Sequence, residues 1–253
     1  MLTPEQSARK SFGERAAMYT TSAAHADPQV LARVVELGAP QADRPALDVA
    51  TGTGHTAFAL APHVSRVVGI DLTPQMLAEG EKLARERCIA NAHFCLADAH
   101  ALPFEAETFH LVTCRRAAHH FSDIARALRE MRRVLCTGGR LVIDDRSVPE
   151  DDFVDERMND LDRLHDESHV RQYRPSEWER MLSTSGFAVE SLEPYIKHRP
   201  LTALTEGVSA ANVRKIHAML DSLSADQRRA FNLVEREDQL FLNHWYVMIL
   251  AKK

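Results

Sequence analysis

Short apolar runs alternate with stretches whose apolar residues recur every three or four positions. Ala46–Ala50 is apolar except for Asp48, too short for a helix, and predicts a buried strand. A Gly-rich loop, Thr51–Gly54, leads to a helix over His55–Ala61 that Pro62 stops, and a second strand, Val67–Ile70, ends on Asp71. Upstream, Asp27-Pro28 predicts a capped helix start, with Val30, Leu31, Val34, Val35 and Leu37 on its inner face and Gly38 at its end. Downstream, Thr73 and Pro74 open a helix with Met76, Leu77, Leu83 and Ala84 facing inward. His93–Leu96 is a third strand, Ala101–Phe109 a loop and His110–Cys114 a fourth strand. Ser122 caps a helix whose Ile124, Leu128, Met131 and Leu135 share a face; Gly138-Gly139 ends it before a fifth strand, Arg140–Asp144. This alternation predicts a parallel sheet with helices on both faces and ligands at the carboxyl ends of its strands.

The rhythm then changes. Glu150–Arg171 reads as a helix, acidic at the end its dipole favours. Ser176-x-x-Glu179 reads as a capping box opening a helix that ends at Gly186. Phe187–Leu192 is a sixth strand, 201–240 a helical insertion and Trp245–Ala251 a last strand, best placed antiparallel. The expectation is one α/β domain over 1–253, with helical cover insertions at 150–180 and 200–240. Residues 1–26 form a helical arm, either a packed surface helix or a lid to which Tyr19 contributes.

Composition narrows the function. The net charge is −5, so no basic excess favours nucleic acid. The four cysteines are scattered without a C-x-x-C pair, as in a reduced, cytoplasmic protein. No apolar run approaches the roughly 18 residues of a membrane span, and the polar N-terminus lacks a signal core. A small-molecule substrate is expected, with no nucleic acid or membrane partner and the oligomeric state open.

Gly52-x-Gly54-x-x-Ala57 with Asp71 fits a dinucleotide fingerprint, which keeps an NAD-dependent oxidoreductase in view. Asp48, just before the loop, would repel a pyrophosphate and favour a cation. Asp98, past the third strand and followed by Ala99, adds another acceptor. A ligand carrying an ammonium, a ribose diol and an adenine amine matches Asp48 with the loop, Asp71 and Asp98 in turn. S-adenosylmethionine carries those groups.

The segments LDVATGTGHTA, VVGIDLTPQML, ADAHALPFEAETFHLVTCRRAAHHF and ALREMRRVLCTGGRLVIDD resemble the successive motifs of class I S-adenosylmethionine-dependent methyltransferases, in particular the ubiquinone/menaquinone biosynthesis C-methyltransferase group. The resemblance covers roughly residues 45–146. It implies a Rossmann-like, seven-stranded, mostly parallel sheet with the last strand antiparallel. It also implies S-adenosylmethionine as cofactor, with Asp48, Ala50, Thr51, Gly52 and Gly54 around the methionine part and Asp71 on the ribose. Leu72 and Met76 would pack on the adenine, Asp98 and Ala99 would meet its edge, and Arg115 would contact the methionine portion through its backbone. Ala50 stands where many members carry glycine, and His110 where an aspartate is common.

The acceptor site is less defined. Methyl transfer is an in-line displacement that needs alignment, and a base only where the acceptor keeps its proton. His119 and His120 are the candidate catalytic residues, either being alternatively a cap or a carbonyl partner. Arg115 and Arg116 could meet an anionic substrate or pair with Asp144, Asp145 or the acidic stretch beyond. His165 and His169, at i, i+4 on the expected helix, have metal-ligand spacing, but a pair lining the substrate pocket is expected instead, with no metal. Tyr19, Arg116, His165, His169 and Tyr173 are the candidate substrate residues, and Trp245 is expected in the core. The segment Cys114–Phe121 differs from the Asn/Asp-Pro-Pro-Tyr motif of nucleic-acid amino-methylases. The expected function is methyl transfer from S-adenosylmethionine to a small molecule. The alternatives are a non-catalytic S-adenosylmethionine-binding regulatory protein and the NAD-dependent oxidoreductase.

Overall fold

The structure, a computed structural model, describes residues 3–22 and 24–253. Its first half follows the expected alternation. Helix α1 (Pro4–Thr20) and helix α2 (Pro28–Gly38) precede strand β1 (Pro45–Val49), helix α3 (His55–Leu60), strand β2 (Arg66–Asp71), helix α4 (Pro74–Glu86) and strand β3 (Ala92–Leu96). Strand β4 (Phe109–Arg115), helix α5 (Ile124–Val134) and strand β5 (Leu135–Ser147) complete the parallel part. Then come helices α6 (Asp152–His165) and α7 (Pro175–Thr184), strand β6 (Ala188–Pro200), helices α8 (Thr202–Thr205), α9 (Ala210–Asp221) and α10 (Ala225–Ala230), and strands β7 (Val234–Arg236) and β8 (Gln239–Lys252).

The sheet order is β3-β2-β1-β4-β5-β8-β6, with β8 antiparallel to both neighbours. Seven strands are expected and eight are present among the described residues. The extra one, β7, pairs only with β8 across the two-residue turn Glu237-Asp238. Both turn residues have positive φ, as a hairpin turn matching strand twist requires. The expected helical insertion at 201–240 therefore closes with a hairpin.

Three apolar clusters hold these layers. One packs α5 and α7 on the sheet, with Trp178 and Leu128 fully buried. A second joins α2 and α3 to the other face through Val34, Leu60 and Val142. The third, built on Met158, Ile216 and Phe231, fastens the cover helices, and Trp245 packs against it as expected.

Several boundaries differ from the expectation for identifiable reasons. Helix α5 ends at Val134, not at Gly138-Gly139, because Leu135 already pairs with Phe109 before the ladder resumes at Leu111 and Arg140. Its cap is Asp123, which accepts from Arg126 N at 2.9 Å; Ser122 instead reaches Glu5 of α1. The Thr73 side chain does not cap α4; Asp71 Oδ1 accepts from Thr73 N at 2.8 Å. Helix α7 starts before the supposed box: Glu177 accepts from Arg174 N, while Ser176 donates to Glu150. Strands β6 and β8 run several residues longer than their apolar cores, because β8 holds β6 in register from Ala188 to Pro200.

Candidate functional site

The carboxyl ends of β1, β2 and β4 converge on the loop 50–54. Ala50 and Gly52 adopt φ of 54° and 56°, so the chain turns sharply and exposes its amides. A Cβ on Gly52 would meet no protein atom within 4 Å, so the open space there faces the ligand side. Ala50 tolerates the left-handed backbone at a cost of about 1–2 kcal/mol, which glycine would not incur. Gly54 serves packing: a Cβ there would lie 2.9 Å from Phe58 and Phe94.

A cavity of about 120 Å³ opens over this loop. Of the expected cofactor residues, Ala50, Thr51, Gly52, Asp71, Leu72, Met76, Asp98, Ala99 and Arg115 line it. Asp71 accepts from Gly52 N at 2.9 Å and from Thr73 N, leaving further lone pairs toward the cavity. Asp98 Oδ1 accepts from His100 N and pairs with His100 Nδ1, while Oδ2 has no such bond. Ile70, Leu72, Met76 and Ala99 form an apolar wall beside them.

Two expected residues are displaced from that wall. Gly54 is the packing residue described above. Asp48 is only 1% exposed and lies behind the loop, where it accepts from Thr51 Oγ1 at 2.6 Å and Thr113 Oγ1 at 2.7 Å. Burial raises its pKa to about 6, against the lowering by those two hydroxyls and Arg115. Its place in this structure is to brace the loop from within.

Arg115 offers its side chain as well as its backbone. Nε donates to Thr56 Oγ1 at 2.9 Å and Nη2 to His25 O, while buried Nη1 has no hydrogen-bond partner and lies 4.0 Å from Asp144 Oδ2. A cofactor carboxylate is an acceptor of the right charge for that orphan donor.

A second chamber, of about 470 Å³, adjoins the first. Phe12, Tyr19, His25, Arg116 and His120 line both. His119, His165 and His169 line the second only. The imidazoles form a group: ring centroids are 4.0 Å apart for His119 and His120, and 5.9 Å for His119 and His169. His119 Nδ1 meets Asp145 Oδ1 at 2.5 Å, and its backbone N donates to the other oxygen. His120 Nδ1 meets Ser168 Oγ at 3.0 Å, and Ser168 Oγ donates to Asp166 Oδ1 at 2.7 Å. Both rings thus have Nδ1 engaged and Nε2 left as the lone-pair nitrogen. Burial first, then the neighbouring rings of His120 and His169, hold the His119 pKa well below the usual value.

Some expectations need correction. His165 and His169 are not an i, i+4 helical pair: α6 ends at His165 and the chain then turns at Glu167-Ser168, closed by His169 N donating to Asp166 O at 3.0 Å. They still face one chamber, with His165 Nδ1 on Leu204 O and His169 Nε2 on Asn159 Oδ1. Among the described residues no group of three or more His, Cys, Asp or Glu is arranged to hold a metal. Tyr173 lines neither cavity; it packs edge-on against Trp178, while Arg171 pairs with Asp155 and Glu177. Arg116 is committed internally, with Nε on Asp144 at 3.0 Å and Nη2 on the Tyr195 hydroxyl. Sequence reasoning missed His25, Arg146, Arg199 and Tyr246, which line the second chamber. Strand periodicity in β6 and β8 marks Arg199 and Tyr246 as strand residues, but nothing local marks them as pocket residues.

His25 gives a pH prediction. Burial, then Arg115 and Arg116, lower its pKa to about 3. The unfolded chain binds its proton near 6.5 and the folded chain does not until far lower. Its penalty therefore grows as the pH falls below 6.5 and is absent above. His25→Gln should gain about 2 kcal/mol relative to wild type between pH 7 and pH 5, read by urea unfolding at both values. Parallel pH dependences would refute the buried neutral imidazole.

The loop, the two carboxylates beyond it and the antiparallel β8 define a methyltransferase of the S-adenosylmethionine-dependent class. The family model described as a methyltransferase domain matches residues 47–143. The uncharacterized methyltransferase YcgJ of Bacillus subtilis is 38% identical over 184 residues, 73% of this chain and 73% of that protein. The crystal structure of YcgJ superposes with a TM-score of 0.84 at 32% identity, covering 88% of this chain and 97% of that one. A demethylmenaquinone methyltransferase of Thermus thermophilus is 42% identical over 113 residues, 44% of this chain and 51% of that protein. The [4+2]-cyclase SpnF, at 20% identity, 89% of this chain, 80% of that chain and a TM-score of 0.61, shares the fold alone. This chain belongs to the methyltransferase family, and S-adenosylmethionine is its cofactor. The oxidoreductase alternative falls with that assignment. No helix among the described residues is long and apolar enough to cross a membrane.

Proposed function

We propose that the chain methylates a small molecule held in the second chamber, with His120 as the base that receives the acceptor's proton. The observation that carries this is the shared wall: the two cavities meet at Phe12, Tyr19, His25, Arg116 and His120. S-adenosylmethionine, when bound, would supply an electrophilic methyl group that the acceptor takes by in-line attack as S-adenosylhomocysteine leaves. The loop amides, with Asp71 and Asp98, would orient the cofactor, and Arg115 Nη1 would take its carboxylate. His120, on the wall shared by both cavities, would accept the proton at Nε2, and Ser168 with Asp166 fixes the tautomer that leaves that nitrogen free. Asp145 does the same for His119, which stays neutral and so does not repel the proton on its neighbour.

Helix α1 is the lid in this reading. Its Phe12 and Tyr19 roof both cavities, and it is tied down by Ser122 on Glu5, Arg15 on Gly207 O and His55 on Tyr19 O. The first cavity is smaller than the roughly 300–1,000 Å³ of ordinary ligand pockets. The arm therefore lifts to admit the cofactor and closes to exclude water during transfer.

Calorimetric titration with S-adenosylhomocysteine, followed by a small-molecule acceptor screen read as S-adenosylhomocysteine release, tests the assignment. Asp71→Ala should weaken binding by about 1–3 kcal/mol, roughly 5- to 150-fold, in a protein whose unfolding midpoint is little changed. Unaltered affinity would remove Asp71 from the site.

A further inference from the structure

Resting on the methyltransferase reading, the geometry points to the substrate class: we propose that the acceptor carries an anionic group, a carboxylate or a phosphate, seated on Arg146 and Arg199 beside Tyr246 in the second chamber. The three residues come from adjacent strands, β5, β6 and β8, and Arg146 is in direct register with Tyr246. They form the sheet-side wall of the chamber, across from α1.

A count of charges on that wall leaves positive charge over. Arg116 is used by Asp144 and Tyr195. Arg146 gives Nη2 to Asp162 at 2.8 Å, while its buried Nε has no protein partner. Arg199, half-buried, makes no ion pair among the described residues. The chamber's other two carboxylates, Asp166 and Glu206, come from the segments that follow α6 and α8 and not from the sheet wall. An orphan buried guanidinium nitrogen in the same chamber as a guanidinium without an ion pair calls for an acceptor with two or more oxygens.

Tyr246 sits in the same field. Its ring is buried, with Arg116 Cζ 3.9 Å and Arg146 Cζ 5.5 Å from the centroid. Burial pushes a phenol's pKa up, yet Arg146, Arg116 and Arg199 together outweigh burial and bring it below the ordinary value. A site that favours negative charge on its own buried phenol favours it on a ligand too. Phe12 and Met18 of α1 supply the apolar side for the acceptor's body. The acceptor is thus clamped by its anion at the sheet, while its reacting atom points to the junction at His120.

The test titrates benzoate, phenyl phosphate, benzamide and benzylamine into the full chain by calorimetry, with and without saturating S-adenosylhomocysteine. Benzoate or phenyl phosphate should bind in the millimolar range or tighter, more weakly as salt is raised, and benzamide and benzylamine at least 10-fold more weakly. Whichever of the two anions binds better assigns carboxylate or phosphate. Arg199→Gln should weaken the anion at least 10-fold and leave S-adenosylhomocysteine affinity unchanged. Equal binding of benzamide and benzoate, anion affinity unaltered in Arg199→Gln, or no anion binding at all overturns the proposal. Absence of S-adenosylhomocysteine binding would instead overturn the parent reading, and the titrations without it still judge the anion site.

Discussion

Replacing His120 with alanine lowers kcat by about 10²- to 10⁴-fold, the usual share of general base catalysis, and leaves S-adenosylhomocysteine affinity within a few-fold. The effect is large because His120 is the one imidazole of the group that lines both cavities. Its Nδ1 is committed to Ser168 and, through it, to Asp166. Ser168→Ala and Asp166→Asn remove only the orientation, so they should cost less, and chiefly in kcat. His119→Gln separates a base from a positioning residue. His119 is absent from the wall of the first cavity and is tied to Asp145, so the variant should change the pH profile more than the plateau rate. Turnover measured by S-adenosylhomocysteine release across pH 5–9 reads all of this. A His120→Ala enzyme with wild-type turnover would show that the acceptor loses its proton without this base.

The two halves of the molecule differ in how far their sequence discloses them. The cofactor half is local: one strand, loop and helix supply Ala50, Thr51 and Gly52, and Asp71 and Asp98 follow at the ends of the next strands. A parallel sheet brings those tips together by rule, and Asp71, Leu72, Met76, Asp98 and Ala99 line one cavity there. Asp48 differs, because charge alone suggests a ligand partner for it. Its position inside a strand puts the side chain among buried neighbours, where Thr51 and Thr113 claim it. The acceptor half is non-local. Arg146, Arg199 and Tyr246 are separated by about 50 residues at each step, and only the antiparallel insertion of β8 between β5 and β6 aligns them. Tyr173 failed for a related reason: its aromatic ring had two possible partners, the pocket or Trp178, and the choice depends on how α7 packs.

Asp48→Ala should be the most damaging single change near the cofactor, although its side chain never reaches the cavity. The substitution strands two buried hydroxyl donors, Thr51 Oγ1 and Thr113 Oγ1, each costing about 1–3 kcal/mol, for a total of about 2–6 kcal/mol. Thr51 belongs to the cofactor loop, so the surviving folded protein should also bind S-adenosylhomocysteine more weakly. Asp48→Asn isolates the charge from the hydrogen bonds. Its amide keeps one acceptor oxygen and similar volume, and it does not titrate. The folded-state pKa of Asp48, about 6, lies above the ordinary value of 3.8 because burial opposes ionisation. The folded chain therefore holds this proton through a window where the unfolded chain has released it. Wild-type stability from this group is fully present below about pH 4 and is lost as the pH rises through 6, a change of about 3 kcal/mol. The penalty of Asp48→Asn should accordingly be greatest at pH 4 and shrink toward pH 7, where removing a desolvated carboxylate offsets the lost acceptor. Urea unfolding of both proteins across that range measures the difference directly. A penalty independent of pH would mean that Asp48 is ionised throughout, with its charge answered by Arg115 more fully than the 1% exposure of the carboxylate and its two hydroxyl bonds suggest.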